Sequence, residues 1–164
     1  MKILIFVIIL LTGFSEDIPR SWEKAGEKAV SKHFKADGIQ MKRRFLETAT
    51  DRPSPGIVMF ELYIKDELIG YTVMTAAKGR YDYFDYLVIY DPGLVILNIQ
   101  VFEYRSDHGY EICNKKWLNQ FEGKRGCDLN YGKEIDAISG ATYSAFSITE
   151  DLSILCRFLS ENLK

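Results

Sequence analysis

The clearest patterning begins at residue 58, where Val58, Phe60, Leu62 and Ile64 alternate with Met59, Glu61, Tyr63 and Lys65. A period of two predicts a half-buried β-strand. Lys65-Asp66-Glu67 predicts the turn into a second strand over about residues 68–77. A further pair, over residues 83–90 and 94–104, meets across Asp91-Pro92-Gly93, a strong turn sequence. Four antiparallel strands result.

On either side of them the period changes to that of a helix. Trp22, Ala25, Ala29, Val30 and Phe34 share one face of an N-terminal helix, which Ser21 is placed to cap. Asp51-Arg52-Pro53-Ser54-Pro55-Gly56 breaks the chain before the first strand. After the strands, Asn114 caps a short helix with Trp117, Leu118 and Phe121 on one face, and Gly123 ends it. A final helix starts between Thr142 and Ser147, with Ser147-Ile148-Thr149-Glu150 reading as a capping box, and buries Ile148, Leu152, Leu155 and Leu159. The expected fold class is α+β: an antiparallel sheet of about four strands packed with a short helix and a C-terminal helix, plus an N-terminal helix.

Composition supports one folded unit, since 47% of the 164 residues are apolar and 13% aromatic. A net charge of −2 gives no footprint for nucleic acid, and the one basic cluster, Lys42-Arg43-Arg44, reads as a solvated face. Met1-Lys2 and the short apolar run over residues 3–11 have the form of a secretory signal peptide, and Gly13-Phe14-Ser15 supplies a small-x-small cleavage pattern. The mature chain is then expected to begin at Glu16; an uncleaved anchor is the alternative. In an oxidising compartment Cys113 and Cys127 could close a loop around Trp117 while Cys156 stays buried in the last helix, although spacing does not fix connectivity. No CxxC pair indicates a redox dithiol or a zinc site.

Candidate chemistry concentrates in Asp136-Ala137-Ile138-Ser139-Gly140-Ala141-Thr142. The small Ser-Gly-Ala run permits close backbone approach, Gly140 can take positive φ, and the helix that follows offers unpaired N–H groups to a phosphate. Within that seat Thr142 places a hydroxyl, a nucleophile if activated. The plain alternative, that the Thr142 hydroxyl only caps the helix, leaves Asp136 and the Gly-Ala pair without a role.

This segment resembles the flavinylation motif of the FMN-binding domain family, which includes the C subunit of the sodium-translocating NADH:quinone oxidoreductase and the G subunit of the Rnf complex. The similarity runs loosely over residues 56–160, through Gly70-Tyr71 and Lys116-Trp117-Leu118-Asn119-Gln120-Phe121-Glu122-Gly123-Lys124. With the leader and helix read above, the chain divides into a signal peptide (1–15), an N-terminal helical segment and linker (16–55) and, as the resemblance implies, an FMN-binding domain (56–164). The resemblance implies also that a Mg-dependent flavin transferase uses FAD as donor, joins FMN through its phosphate to Thr142 and releases AMP. Asp136, Ser139, Gly140 and Ala141 then serve recognition and placement of the phosphate. Where larger relatives have a Glu-Thr-Pro-Gly-like turn, this chain reads Ser106-Asp107-His108-Gly109-Tyr110-Glu111 and keeps only Gly109.

Among Tyr81, Tyr83, Phe84, Tyr86 and Tyr90, one or two are expected to touch the flavin ring and the rest to pack in the sheet. Trp117 reads as core, and His108 as an exposed turn residue. The expected function is an exported, covalently flavinylated electron carrier, periplasmic or extracytoplasmic and possibly membrane-associated, exchanging electrons with a membrane-bound redox partner. An FMN-holding sensory or assembly module of a membrane redox complex and a secreted interaction domain without flavin are the alternatives.

Overall fold

The computed structural model describes residues 8–10, 18–46, 53 and 55–163. The N-terminal stretch read as a leader lies mostly outside the described residues, as does half of the Asp51 to Gly56 linker. The fold is α+β. Its elements in chain order are β1 (Ile8–Leu10), α1 (Arg20–Phe34), β2 (Gln40–Arg44), β3 (Val58–Ile64), β4 (Glu67–Lys78), β5 (Tyr83–Tyr90), β6 (Ile96–Tyr104), α2 (Lys115–Leu118) and α3 (Thr142–Asn162). The six strands form one sheet in sequence order, with β1 parallel to β2 and every other neighbour antiparallel.

The four expected strands are present, and two more extend the sheet beyond β3. Gln40-Met41-Lys42-Arg43-Arg44 hides its strand character because all but Met41 are polar. In β2 the basic cluster is half-buried, not a free solvated face: Arg44 donates to Glu61 at 2.7 Å, Lys42 lies over the Tyr63 ring, and Arg43 lies over Phe60. Such stems cover apolar surface while their charged heads find partners.

Both faces of the sheet are covered, which explains why β3 and β5 are more apolar than a strict alternation requires. One cluster joins Trp22, Ala29 and Val30 of α1 to Val58, Phe60, Leu62, Met74, Leu87 and Ile89. The larger one joins Met59, Val73, Tyr86, Val88 and Ile99 to Trp117, Phe121 and the inner face of α3. Ile148, Leu152, Leu155 and Leu159 are fully buried there, as their spacing requires.

Three local expectations change. Ser21 lies inside α1, whose cap position is Pro19 with no side-chain bond. Ser147-Ile148-Thr149-Glu150 is helix interior, because α3 already runs from Thr142, and the Thr149 hydroxyl donates back to the Ala145 carbonyl oxygen at 2.8 Å. The disulfide joins Cys127 to Cys156, with Cα atoms 4.8 Å apart, and Cys113 is free. The turn Gly126–Asp128 packs directly on α3, bringing Cys127 to Cys156, whereas Cys113 ends the 3-10 turn Tyr110–Cys113 beside β6. Asn114 does cap α2, accepting from the Lys116 N–H at 2.9 Å.

Candidate functional site

The site is assembled where α3 begins. Thr142 is the first helical residue and is exposed; the cap position is Ala141, whose methyl group cannot satisfy the first-turn N–H groups. Thr142 is therefore not the N-cap. Gly140 has φ of 87°, as the need for a left-handed residue before the helix suggests, and a Cβ there would lie 2.5 Å from Glu111 Oε1.

Two further segments close on this helix start. The Tyr104 hydroxyl donates to the His108 carbonyl oxygen at 2.7 Å and lies 3.1 Å from Ser144 Oγ, so one phenol ties the end of β6, the following loop and the first turn of α3 together. Burial pushes its pKa up, and the Ser144 bond partly opposes that. Gly109, at φ of 88°, fits under the same pair of hydroxyls: an added Cβ would sit 2.5 Å from Tyr104 and 3.2 Å from Ser144.

The motif loop is held from its other end. Trp117 Nε1 donates to the Asp136 carbonyl oxygen at 2.8 Å, and the Asp136 N–H donates to Gln120 Oε1 at 2.9 Å. The Trp-Leu-Asn-Gln-Phe segment thus clamps both backbone groups of one residue while its Trp117 and Phe121 rings pack in the core. Ile135 and Ala141 are buried on either side of the exposed Asp136 and Ser139.

Between these supports lies a cleft of about 640 Å³, lined by Gly140, Ala141, Thr142, His108, Gly109, Arg80 and the rings of Tyr131, Tyr143 and Phe146. Gly140, Ala141 and Thr142 of the expected site therefore meet in one cavity. Asp136 and Ser139 lie on the loop leading to it, outside its lining. His108 is exposed, as expected, yet its loop forms one wall. Of the aromatic run, Phe84, Tyr86 and Tyr90 are core and Tyr83 is half-buried; Tyr81 alone stands near the rim, beside His108 and Arg80.

Tyr131, Ser144, Phe146 and Arg80 are the contributions that sequence reasoning missed. Arg80 supplies a cation to the cleft wall. The Tyr131 hydroxyl is buried with no hydrogen-bond partner. Tyr81, Tyr110, Tyr143 and Phe146, four of the six exposed large apolar side chains described, stand on or next to the cleft. Such a gathering marks a surface made to be covered.

The chain is similar in fold to NqrC. The crystal structure of NqrC from Shewanella oneidensis superposes with a TM-score of 0.51 at 19% sequence identity, covering 63% of this chain and 59% of the NqrC chain. The likeness thus spans less than two thirds of NqrC and establishes a common architecture. A scan against protein-family models finds no match, and neither does a search of the curated proteins.

Proposed function

We propose that this protein is an extracytoplasmic electron-transfer domain that carries FMN joined through its phosphate to Thr142. The observation that carries the reading is the coincidence of the motif threonine, on an uncapped helix start, with an aromatic-walled cleft containing one arginine. The fold shared with NqrC, a C subunit of the kind whose motif this chain resembles, supports it.

The residues fit such a group. The cleft is within the roughly 300–1,000 Å³ usual for small-molecule sites. Arg80 and the first-turn N–H groups of α3 would hold the phosphate, while Tyr131, Tyr143 and Phe146 offer ring faces. The orphaned Tyr131 hydroxyl would gain a partner from a polar ligand atom. When bound, the flavin supplies one- and two-electron redox chemistry.

Attachment would proceed by attack of Thr142 Oγ on the FMN-side phosphorus of FAD, with cleavage of the pyrophosphate bond, departure of AMP and transfer of the hydroxyl proton to base or solvent. The partner enzyme is a flavin transferase, and electrons would pass to and from a membrane-bound redox partner. Among the described residues no helix is long and apolar enough to cross a membrane. We place the domain outside the cytoplasm because of its apolar start, and N-terminal sequencing of exported protein should find Glu16 first.

Co-expression with a flavin transferase should add one FMN, about 440 Da, and give a fluorescent band that survives denaturation. Thr142→Ala should lose both. A fluorescent Thr142→Ala band would place the attachment elsewhere, and an unmodified wild-type chain would remove the covalent assignment.

A further inference from the structure

The outer edge of β6 is open. Its start is closed by the loop after Phe121: the Ile96 N–H donates to the Lys124 carbonyl oxygen at 2.9 Å and the Gly123 N–H donates to the Ile96 carbonyl oxygen at 2.8 Å. Beyond that point, among the described residues, residues 98–101 pair only with Ile89, Val88, Leu87 and Tyr86 of β5, in regular register between two shifts. Asn98-Ile99-Gln100-Val101 contains no charge and no proline, the usual protections of an exposed edge.

This edge is the floor of a groove of about 470 Å³. Ala29, Lys32, His33 and Lys35, from α1 and its end, form one wall, and Cys113, Lys115 and Leu118 form the other. Three lysines and a histidine therefore line it, with no carboxylate in the lining itself and Glu122 within electrostatic reach of His33. Glu122, which accepts from the Asn98 amide at 3.0 Å, stands outside the lining.

We propose that this groove receives an extended acidic segment of a partner protein as a seventh strand along β6. Two walls, one from each layer, admit a single strand but obstruct a whole sheet edge with its own covering layers. Lys32 and Lys35 on one side and Lys115 on the other ask for carboxylates on both faces of the incoming strand, while the unpaired backbone groups supply the ladder. A second copy of this chain is disfavoured, because edge-to-edge pairing would set one lysine-lined groove against another. The 3-10 turn Tyr110–Cys113 separates the groove from Gly109 in the cleft at Thr142, so a docked segment would lie beside that cleft. The docking inference does not depend on the cleft's occupant.

The test uses the full chain and a fluorescein-labelled octapeptide of the repeat Glu-Glu-Val-Val, which in an extended strand presents carboxylates on both faces. Anisotropy should report saturable binding in low salt, with amide shifts in two-dimensional NMR confined to residues 96–102 and the groove walls. The K32E/K115E double variant, both sites being exposed, should bind at least tenfold more weakly while melting as the wild type does. Two peptides, each N-methylated on one alternate set of amides, separate strand addition from charge attraction: one of the two should lose binding. The proposal is overturned by absence of saturable binding, by equal affinity of the charge-reversed variant, by retained affinity of both methylated peptides, or by sedimentation showing that β6 is occupied by a second copy.

Discussion

The clamp on Asp136 offers the most direct measurement of how the motif loop is held. Gln120→Ala removes the acceptor of the Asp136 N–H, a bond of 2.9 Å at an exposed residue, and leaves the rings of Trp117 and Phe121 in place. A neutral hydrogen bond of this kind contributes about 1 kcal/mol, so local opening at Asp136 should become roughly fivefold easier. Global stability should fall by a similar amount, which for a domain of this size lowers Tm by about 2–4 °C. Native-state hydrogen exchange followed by NMR reads the first quantity and thermal unfolding the second. Trp117→Phe removes the opposite bond, to the Asp136 carbonyl oxygen, and adds a packing loss, for a total of about 1–2 kcal/mol. In the double variant the loop should lose its fixed approach to Thr142, and flavin incorporation should fall further than either single change predicts, because both bonds hold the same residue. An Asp136 amide that exchanges at the same rate in wild type and Gln120→Ala would refute the reasoning, since the bond would then not order the loop.

Asp85→Ala should cost about 2–4 kcal/mol in urea unfolding, since the buried carboxylate accepts from Trp22 Nε1 at 2.9 Å and from Arg105 at 2.6 Å, and its loss strands the indole N–H; the Arg105 share is small because that side chain is 40% exposed. Reduction of Cys127–Cys156, which spans 29 residues, should lower stability by about 3–4 kcal/mol on the chain-entropy estimate, seen as a lower Tm in dithiothreitol that Cys127→Ser reproduces. Burial, with Glu111 adding to it, pushes the Cys113 thiol up to about 11, so iodoacetamide labelling at pH 8 should be at least about tenfold slower than for free cysteine. Because the folded thiol holds its proton more tightly than the unfolded one, its contribution to stability is present below pH 9 and is lost as pH rises toward 11; Cys113→Ala should flatten that part of the alkaline limb.

The legible parts of this chain are those where local chemistry and tertiary demand coincide. β3 to β6 could be read because period, turn residues and β-branched or aromatic content agree, and the Lys65-Asp66 turn does take the two positive φ values that a tight hairpin requires. β2 could not, because its strand character arises from cross-strand partners such as Glu61 and Tyr63 that no local window contains. The Ser147 capping box failed for a related reason: the helix already runs from Thr142, and Ser144 and Ala145 are buried ahead of the box. At the candidate site, the motif identified Thr142, Gly140 and Ala141, whereas Arg80 and the Tyr104–Ser144 contact come from segments dozens of residues away and Tyr131 from outside the motif. The disulfide stays open in the sequence, where Cys113 is one possible partner of Cys127, because packing of the turn around Cys127 on α3 decides the pairing with Cys156.

The position of β1 carries a consequence for maturation. It is a three-residue strand, parallel to β2, at the border of the sheet, and drawn from the very segment that an export peptidase would discard. Trimming there would uncover the strand with which it pairs. The strand newly laid bare would be β2, studded with Lys42, Arg43 and Arg44, and such cationic borders repel further strands. Processing would thus leave a molecule with two unlike flanks: one self-shielding against aggregation, the other neutral along its backbone and open to a chosen guest.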